Sequence, residues 1–410
     1  MGRRLFLIAL AALVALGAGA RPAVAAGASF EVPAGLESAV EFWKQIFSRY
    51  GFGEVVLFDP LDMSRIYSVV RAPDNEQGRA VVEKEKARIV ADYDLIDDDS
   101  RIRSQRGARE HFLEGLKVAG RYLEQMKKIF REEGLPPELA YLPLVESSFN
   151  IRARSSAGAL GMWQFMPETG KKFMRIDATV DERRDPLAST RAAARLLKEN
   201  YRLFGNWPLA ITAYNHGTEG IFRGIKTVES DSLVDLVRRY QSPTFGFASK
   251  NFYAEFLAVI DIASQRDAYF PYLRPHRPLF LREIEVKRQA PLHALLKPAA
   301  ISQNDFFEWN PALEPKTKFL PAGYRVKLPP DKVDDFLAAQ KRALATASVK
   351  KTSGPSKARA WQTSARPRPG ASTAVNKSLF AGAAKTAGTQ KPIAAKRGLA
   401  ARQPIKLAAR

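Results

Sequence analysis

Apolar residues recur every three or four positions through much of the chain, the spacing of one helical face. In residues 36–50 this stripe is Val40, Trp43, Ile46, Phe47 and Tyr50. In 101–133 it is Phe112, Leu116, Ala119, Leu123, Met126 and Phe130, and Gly134 supplies a helix stop. Residues 80–93 read as a charge-rich helix. Asp185 is an N-cap candidate with Pro186 at the first helical position, opening an Ala-rich helix to about Phe204. Another helix begins at Trp207. Glu54–Phe58 is a short β-like run between turn signals. The pattern predicts a mainly α chain. One stretch departs from amphipathic spacing: after Pro136-Pro137, residues 139–149 have almost no polar face, which predicts a buried helix.

Glu146 lies inside that apolar stretch. Burial disfavours the charged form of a carboxyl, as a general acid near neutral pH requires. The competing reading is a core ion pair with Arg152 or Arg154. Residues 155–161, SSAGALG, let backbone approach a ligand closely and offer hydroxyls. Met162-Trp163-Gln164-Phe165-Met166 then reads either as a sugar-binding wall or as an ordinary core segment. Tyr214-Asn215-His216-Gly217 offers a phenol, an amide and an imidazole together, or simply a helix C-terminus.

Glu146-Ser147, the Ser/Ala/Gly run with Gly161-Met162-Trp163-Gln164, and Ala213-Tyr214-Asn215-His216-Gly217 resemble the three blocks of the lytic transglycosylase domain. This domain is related to goose-type lysozyme, and the resemblance is to the membrane-bound lytic transglycosylase D type. It covers about 130 residues in the family's order and spacing. It implies a lysozyme-like catalytic domain, placed at 111–265, behind a helical lead-in at 26–110. It also implies cleavage of the bond between N-acetylmuramic acid and N-acetylglucosamine in peptidoglycan, without water, leaving a 1,6-anhydro sugar. Glu146 is then the catalytic residue. Ser155, Gln164, Tyr214 and Asn215 bind substrate, and no cofactor is needed. The family usually has Ala where this chain has His216, which suggests a solvent-facing substitution. Its active-site tyrosine falls near Phe252 and Tyr253, and neither aligns cleanly. A hydrolytic muramidase of the same fold and a non-catalytic peptidoglycan-binding protein are the alternatives.

Residues 281–330 predict a β-α-α-β order, with a turn at Asn310-Pro311-Ala312-Leu313 and a last strand at 324–328. This resembles a degenerate LysM glycan-binding module, although the Gly-Asp-Thr block near its start is missing.

Composition narrows the partners. There is no cysteine, which excludes disulfides and thiolate chemistry, and the four histidines are scattered, so no metal is expected. The net charge is +21. Residues 343–410 carry much of it in an Ala/Ser/Thr/Gly/Pro-rich stretch without an acidic residue, predicted disordered. That tail is either a tether to an anionic envelope surface or a solvated extension. Residues 1–25 have a basic start at Arg3-Arg4, an apolar run and Ala23-Val24-Ala25, the pattern of a secretory signal peptide; an uncleaved anchor is the alternative. Export to the periplasm or cell envelope follows, and with it no expectation of nucleic acid. Peptidoglycan glycan strands are the expected partner.

Overall fold

The computed structural model describes residues 30–95 and 99–352. The expected signal peptide and most of the basic tail lie outside them. Among the described residues no helix is long and apolar enough to cross a membrane. They form two compact units. The residues up to Leu281, with Phe307–Lys316, make the first; Arg282–Phe306, with those from Thr317 onward, make the second.

The first unit is mainly α. Its helices are α1 (Glu37–Ser48), α2 (Glu76–Asp92), α3 (Arg109–Glu132), α4 (Leu142–Ser147), α5 (Pro167–Gly170), α6 (Pro186–Phe204), α7 (Trp207–His216), α8 (Thr218–Val228), α9 (Leu233–Arg239), α10 (Phe247–Ser264) and α11 (Arg266–Tyr269). The lead-in is helical at α1 and α2. It also folds a sheet of β1 (Glu54–Phe58), β2 (Ile66–Arg71) and β3 (Arg103–Arg106), in the antiparallel order β2-β1-β3. A lead-in of helices and turns therefore needs correction. β1 was legible because it is a buried apolar run. β3 is Arg-Ser-Gln-Arg, which has no strand propensity and pairs because β1 offers a free edge.

The predicted helix boundaries follow from local chemistry. Asp185 Oδ1 accepts the backbone N–H groups of Leu187 and Ala188 at 3.0 and 2.9 Å, capping α6. Asn206 caps α7 through the Leu209 N–H. α3 ends at Gly134, in the left-handed region at φ 70°. One core joins α1, α3, α4, α6, α7 and α10, with Ile46, Met126, Leu142, Ile211 and Phe256 fully buried.

The apolar stretch around Glu146 is not one helix. Residues Pro137–Tyr141 form a 3-10 turn, and α4 is only six residues long. It stops because Ser148 and Phe149 both adopt left-handed backbone, at φ 50° and 58°. Two consecutive non-glycine residues there are strained, and the buried Phe149 ring anchors the turn in the core.

The second unit contains β4 (Arg282–Glu285), β5 (Ala290–Pro291), α12 (Leu292–Leu296), β6 (Phe319–Leu320), β7 (Arg325–Leu328) and α14 (Val333–Thr352), with α13 (Gln303–Trp309) beginning in it. β4 pairs antiparallel with β7, giving the expected β-α-α-β order, and β5 pairs with β6. Two expectations change. The Asn310-Pro311-Ala312-Leu313 turn belongs to the first unit, where Asp181 N–H donates to the Ala312 carbonyl at 2.8 Å and Arg184 pairs with Glu314 at 2.6 Å. The stretch expected to lack structure from Ala343 onward starts as helix instead, since α14 runs to Thr352. Its Ala-rich sequence favours helix over coil.

Candidate active site

Glu146 projects from α4 and is 6% exposed. The next residue, Ser147, donates its hydroxyl to the Met162 carbonyl at 2.9 Å. This bond ties the first sequence block to the second. The second block is a loop folded on itself. Arg154 bridges to Leu160, and Leu160 bridges to Phe165. Ser155 closes the tip, its Oγ accepting the Ala159 N–H at 2.9 Å, and the residue keeps partial solvent access.

Gly161 is dictated by crowding. It sits at φ 78°, and a Cβ there would lie 1.8 Å from the Arg183 carbonyl oxygen. The Arg183 side chain nails the same loop from beneath. It is 6% exposed, pairs with Asp181 at 2.7 Å, and donates to the carbonyls of Gly158 and Phe165 at 3.1 and 3.2 Å. Sequence reasoning passed over Arg183, because a basic residue in a polar stretch gives no sign of burial.

The sugar-wall reading of Met162–Met166 is overturned for Met162, Trp163 and Phe165, while Met166 keeps partial solvent access. Met162, Trp163 and Phe165 are buried at 1%, 0% and 0% exposure. Trp163 packs against Phe130 and Tyr214 and donates its indole N–H to Thr190 Oγ1 at 2.9 Å. A ring with every face occupied cannot stack on a sugar. Gln164 is 2% exposed, in left-handed backbone at φ 47°. Its Nε2 donates to the carbonyls of Gly161 and Ala153 at 2.7 and 3.3 Å, while its Oε1 is buried without a protein partner.

The third block closes the constellation. Tyr214 is 3% exposed, and its hydroxyl donates to the Trp163 carbonyl at 2.8 Å, locking α7 to the second block. Asn215, half-buried, accepts at Oδ1 from Ser249 Oγ of α10 at 3.0 Å. Ser249 Oγ lies 3.2 Å from His216 Nδ1. The serine proton is committed to Asn215, so the ring supplies the proton of the second bond and Nδ1 carries the hydrogen. A solvent-facing His216 is therefore corrected: its Nε2 is buried, and its ring meets Phe245 edge-on. Gly220 leaves the space for that ring, since a Cβ there would meet it at 2.3 Å. Burial, aided by the Arg223 charge, holds the imidazole below its ordinary range. Phe252 and Tyr253 are both buried, at 3% and 2% exposure, so neither presents its ring freely to solvent.

A second carboxyl feels the charge of Glu146. Glu255 lies on α10, which packs against α4, and burial with the neighbouring Glu146 charge pushes it up to about 8. The signal that singled out Glu146, a carboxyl in an apolar helical run, was also present in Asn251-Phe252-Tyr253-Ala254-Glu255-Phe256-Leu257.

Geometry thus brings the three blocks into one constellation built on α4, the 153–165 loop and α7, with α10 behind. Residues 124–232 match the family model described as the Transglycosylase SLT domain, a segment that contains all three blocks. The chain carries a transglycosylase SLT domain. It is similar to the membrane-bound lytic murein transglycosylase D of Escherichia coli (strain K12), with 39% identity over 99 residues, 24% of this chain and 22% of that protein. A protein of Alteromonas sp. (strain M-1) named for tributyltin chloride resistance is 37% identical over 111 residues, 27% of this chain and 54% of that one. A solved structure of an inactive mutant of lytic transglycosylase Slt from Pseudomonas aeruginosa covers 50% of this chain and 32% of that chain, at 20% identity and a TM-score of 0.31. The chain spans about a fifth of the first relative's length and about half of the second's.

Proposed function

We propose that this protein is a peptidoglycan lytic transglycosylase with Glu146 as its acid and then its base. The observation that carries the reading is the buried Glu146 on α4, tied through Ser147 to the second block inside the matched SLT segment. Glu146 protonates the oxygen that bridges N-acetylmuramic acid to N-acetylglucosamine, and the C1–O bond breaks. The substrate's acetamido group helps to stabilise the charge developing at C1. Ionised Glu146 then removes the proton from the muramic C6 hydroxyl, whose oxygen closes on C1. The proton returns to Glu146, a 1,6-anhydro sugar is left, and no water is consumed. A single acid–base carboxyl suffices for this sequence, whereas most glycosidases divide acid and base or nucleophile between two.

The polar groups divide by exposure. Ser155 and Asn215 keep solvent access and are the groups placed to touch sugar, Ser155 at the acetamido group. Gln164 and Tyr214 border the cleft from behind and shape it through the carbonyls they hold. The β-α-α-β unit serves as a LysM-like glycan-binding module. Residues 1–25 direct export to the periplasm or envelope, and the basic tail holds the enzyme near anionic envelope material by attraction that salt screens.

The test is mass spectrometry of muropeptides released from purified sacculi by wild type and Glu146→Gln. Products lighter than hydrolytic ones by one water, made by wild type alone, are the expected outcome. Reducing-end muramic acid would make the protein a muramidase. No release by wild type, with sacculus binding retained, would make it a binding protein.

A further inference from the structure

Asn215 is placed to touch sugar, and an amide can do so with either end. Its oxygen accepts and its nitrogen donates, so the two ends recognise different partners. What decides between them lies behind the cleft. Ser249 of α10 is 4% exposed, and its Oγ reaches both Asn215 Oδ1 at 3.0 Å and His216 Nδ1 at 3.2 Å. Among the described residues no other side chain joins these three.

Such a chain has two proton arrangements. In the first, His216 Nδ1–H donates to Ser249, Ser249 donates to Asn215 Oδ1, and Nδ2 of the amide faces outward. In the second, every bond runs the other way. The amide is turned over, its Nδ2 donates to Ser249, Ser249 donates to a bare Nδ1, and Oδ1 faces outward. His216 Nε2 tells the two apart, since it carries a lone pair in the first and a hydrogen in the second.

The surroundings of Nε2 favour the first. This atom is buried with no acceptor against it, so a hydrogen there would be an orphaned donor. Its edge of the ring faces α8, because a Cβ on Gly220 would lie 2.3 Å from Nε2. Gly220 is in the first turn of α8, the positive end of that helix. Arg223, whose charge acts on His216, follows three residues later on the same helix face. Positive potential on that side favours a lone pair over an N–H. The outward end of the amide agrees. Asn215 Nδ2 makes no hydrogen bond among the described residues and is not a buried atom, and the residue keeps partial solvent access.

We propose that His216 and Ser249 are positioning residues for Asn215: they hold its oxygen inward, so that the amide offers its two N–H hydrogens to an acceptor oxygen of the glycan. The site then reads an acceptor at that position and not a donor. An amide fixed in advance loses no rotational freedom when substrate arrives, which is where the affinity comes from. Burial of the serine keeps water from competing for either bond. This rests on the reading of Asn215 as a substrate contact.

The test has two readouts. The first is nuclear magnetic resonance of the full chain labelled with 15N-histidine, at about pH 7.5, and it needs no turnover. Correlations between the ring carbon protons and the ring nitrogens distinguish the two tautomers, and the spectrum of His216→Ala assigns the residue. Burial keeps the ring neutral at that pH. His216 is expected to carry its hydrogen on Nδ1. A hydrogen on Nε2 overturns the proposal, because Ser249 would then donate to the ring and Asn215 would present its oxygen.

The second readout is KM and kcat on sacculi. Ser249→Ala is expected to raise KM about fivefold with kcat within about twofold of wild type, and Ser249→Thr, which keeps the hydroxyl, to restore most of that loss. Asn215→Ala is expected to raise KM about tenfold, and adding Ser249→Ala to it should do nothing more, since the chain acts only through the amide. Asn215→Asp can still accept from Ser249 but offers no N–H, so its KM should match that of Asn215→Ala. A wild-type KM in Asn215→Asp, or a full further loss from Ser249→Ala in the Asn215→Ala background, overturns the proposal. If wild type releases nothing from sacculi, the proposed function fails, and the tautomer still decides which way the amide is held.

Discussion

The 153–165 loop and the face where α4 meets α10 border the same constellation and are built in opposite ways. In the loop, polar atoms are spent on backbone. Gln164 Nε2, Arg183, Ser147 and Tyr214 together hold the carbonyls of Ala153, Gly158, Gly161, Met162, Trp163 and Phe165. Where α4 meets α10, Glu255 sits in apolar surroundings with no cation against it, and the nearby charge is the like one of Glu146. Satisfied groups in a low-dielectric interior hold a shape. The apolar setting and the like charge raise the proton affinity of Glu255. Three of the six non-glycine residues with positive φ among the described residues, Ser148, Phe149 and Gln164, lie where these regions join. Strain of this kind persists only where the surrounding structure over-determines it.

The contrast can be broken from either side. The largest effect is expected on the α4 side. Glu146→Gln should lower turnover at least about 10²–10⁴-fold with an unchanged circular dichroism spectrum; retained turnover would remove Glu146 from the chemistry. Next comes the loop. Gly161→Ala should cost about 3 kcal/mol or more, from strained φ and a Cβ against the Arg183 carbonyl, read as a lower denaturant midpoint. A variant as stable as wild type would mean that the loop shifts freely and is no frame.

Tyr214→Phe should cost about 1–2 kcal/mol by leaving the buried Trp163 carbonyl without its donor. Because the phenol acts through backbone, kcat should fall less than about tenfold; a loss on the scale of Glu146→Gln would place the hydroxyl on substrate. The smallest effect is expected at His216. His216→Ala frees Ser249 and loosens Asn215, which should raise KM about three- to fivefold with little change in kcat. His216→Asn, which can still donate to Ser249, should recover part of that loss. Equal KM in wild type and both variants would make the His216–Ser249–Asn215 chain structural only.

Much of this architecture was legible because local chemistry encodes it. The cap at Asp185, the stop at Gly134 and the apolar stripe of α3 act over a few residues. The same holds for the order β4-α12-α13-β7. Glu146 was legible too, since an acid in an apolar run reports its own burial. β3 was not, because Arg-Ser-Gln-Arg becomes a strand only beside the waiting edge of β1. The fate of Trp163 was not, because the same indole can line a cleft or fill a core, and Phe130, Thr190 and Tyr214 decide which.

The sequence by itself determined the end of α3, the start of α6, the order of the three blocks and one buried acid, because these depend on near neighbours and on composition. The tertiary structure alone decided that Gln164 and Tyr214 hold backbone, that His216 reaches Asn215 through Ser249, and that Glu255 feels the charge of Glu146. Those are interactions between residues up to 109 positions apart (146 to 255), and their worth comes from a shared dielectric and from hydrogen bonds that exist only once the helices pack.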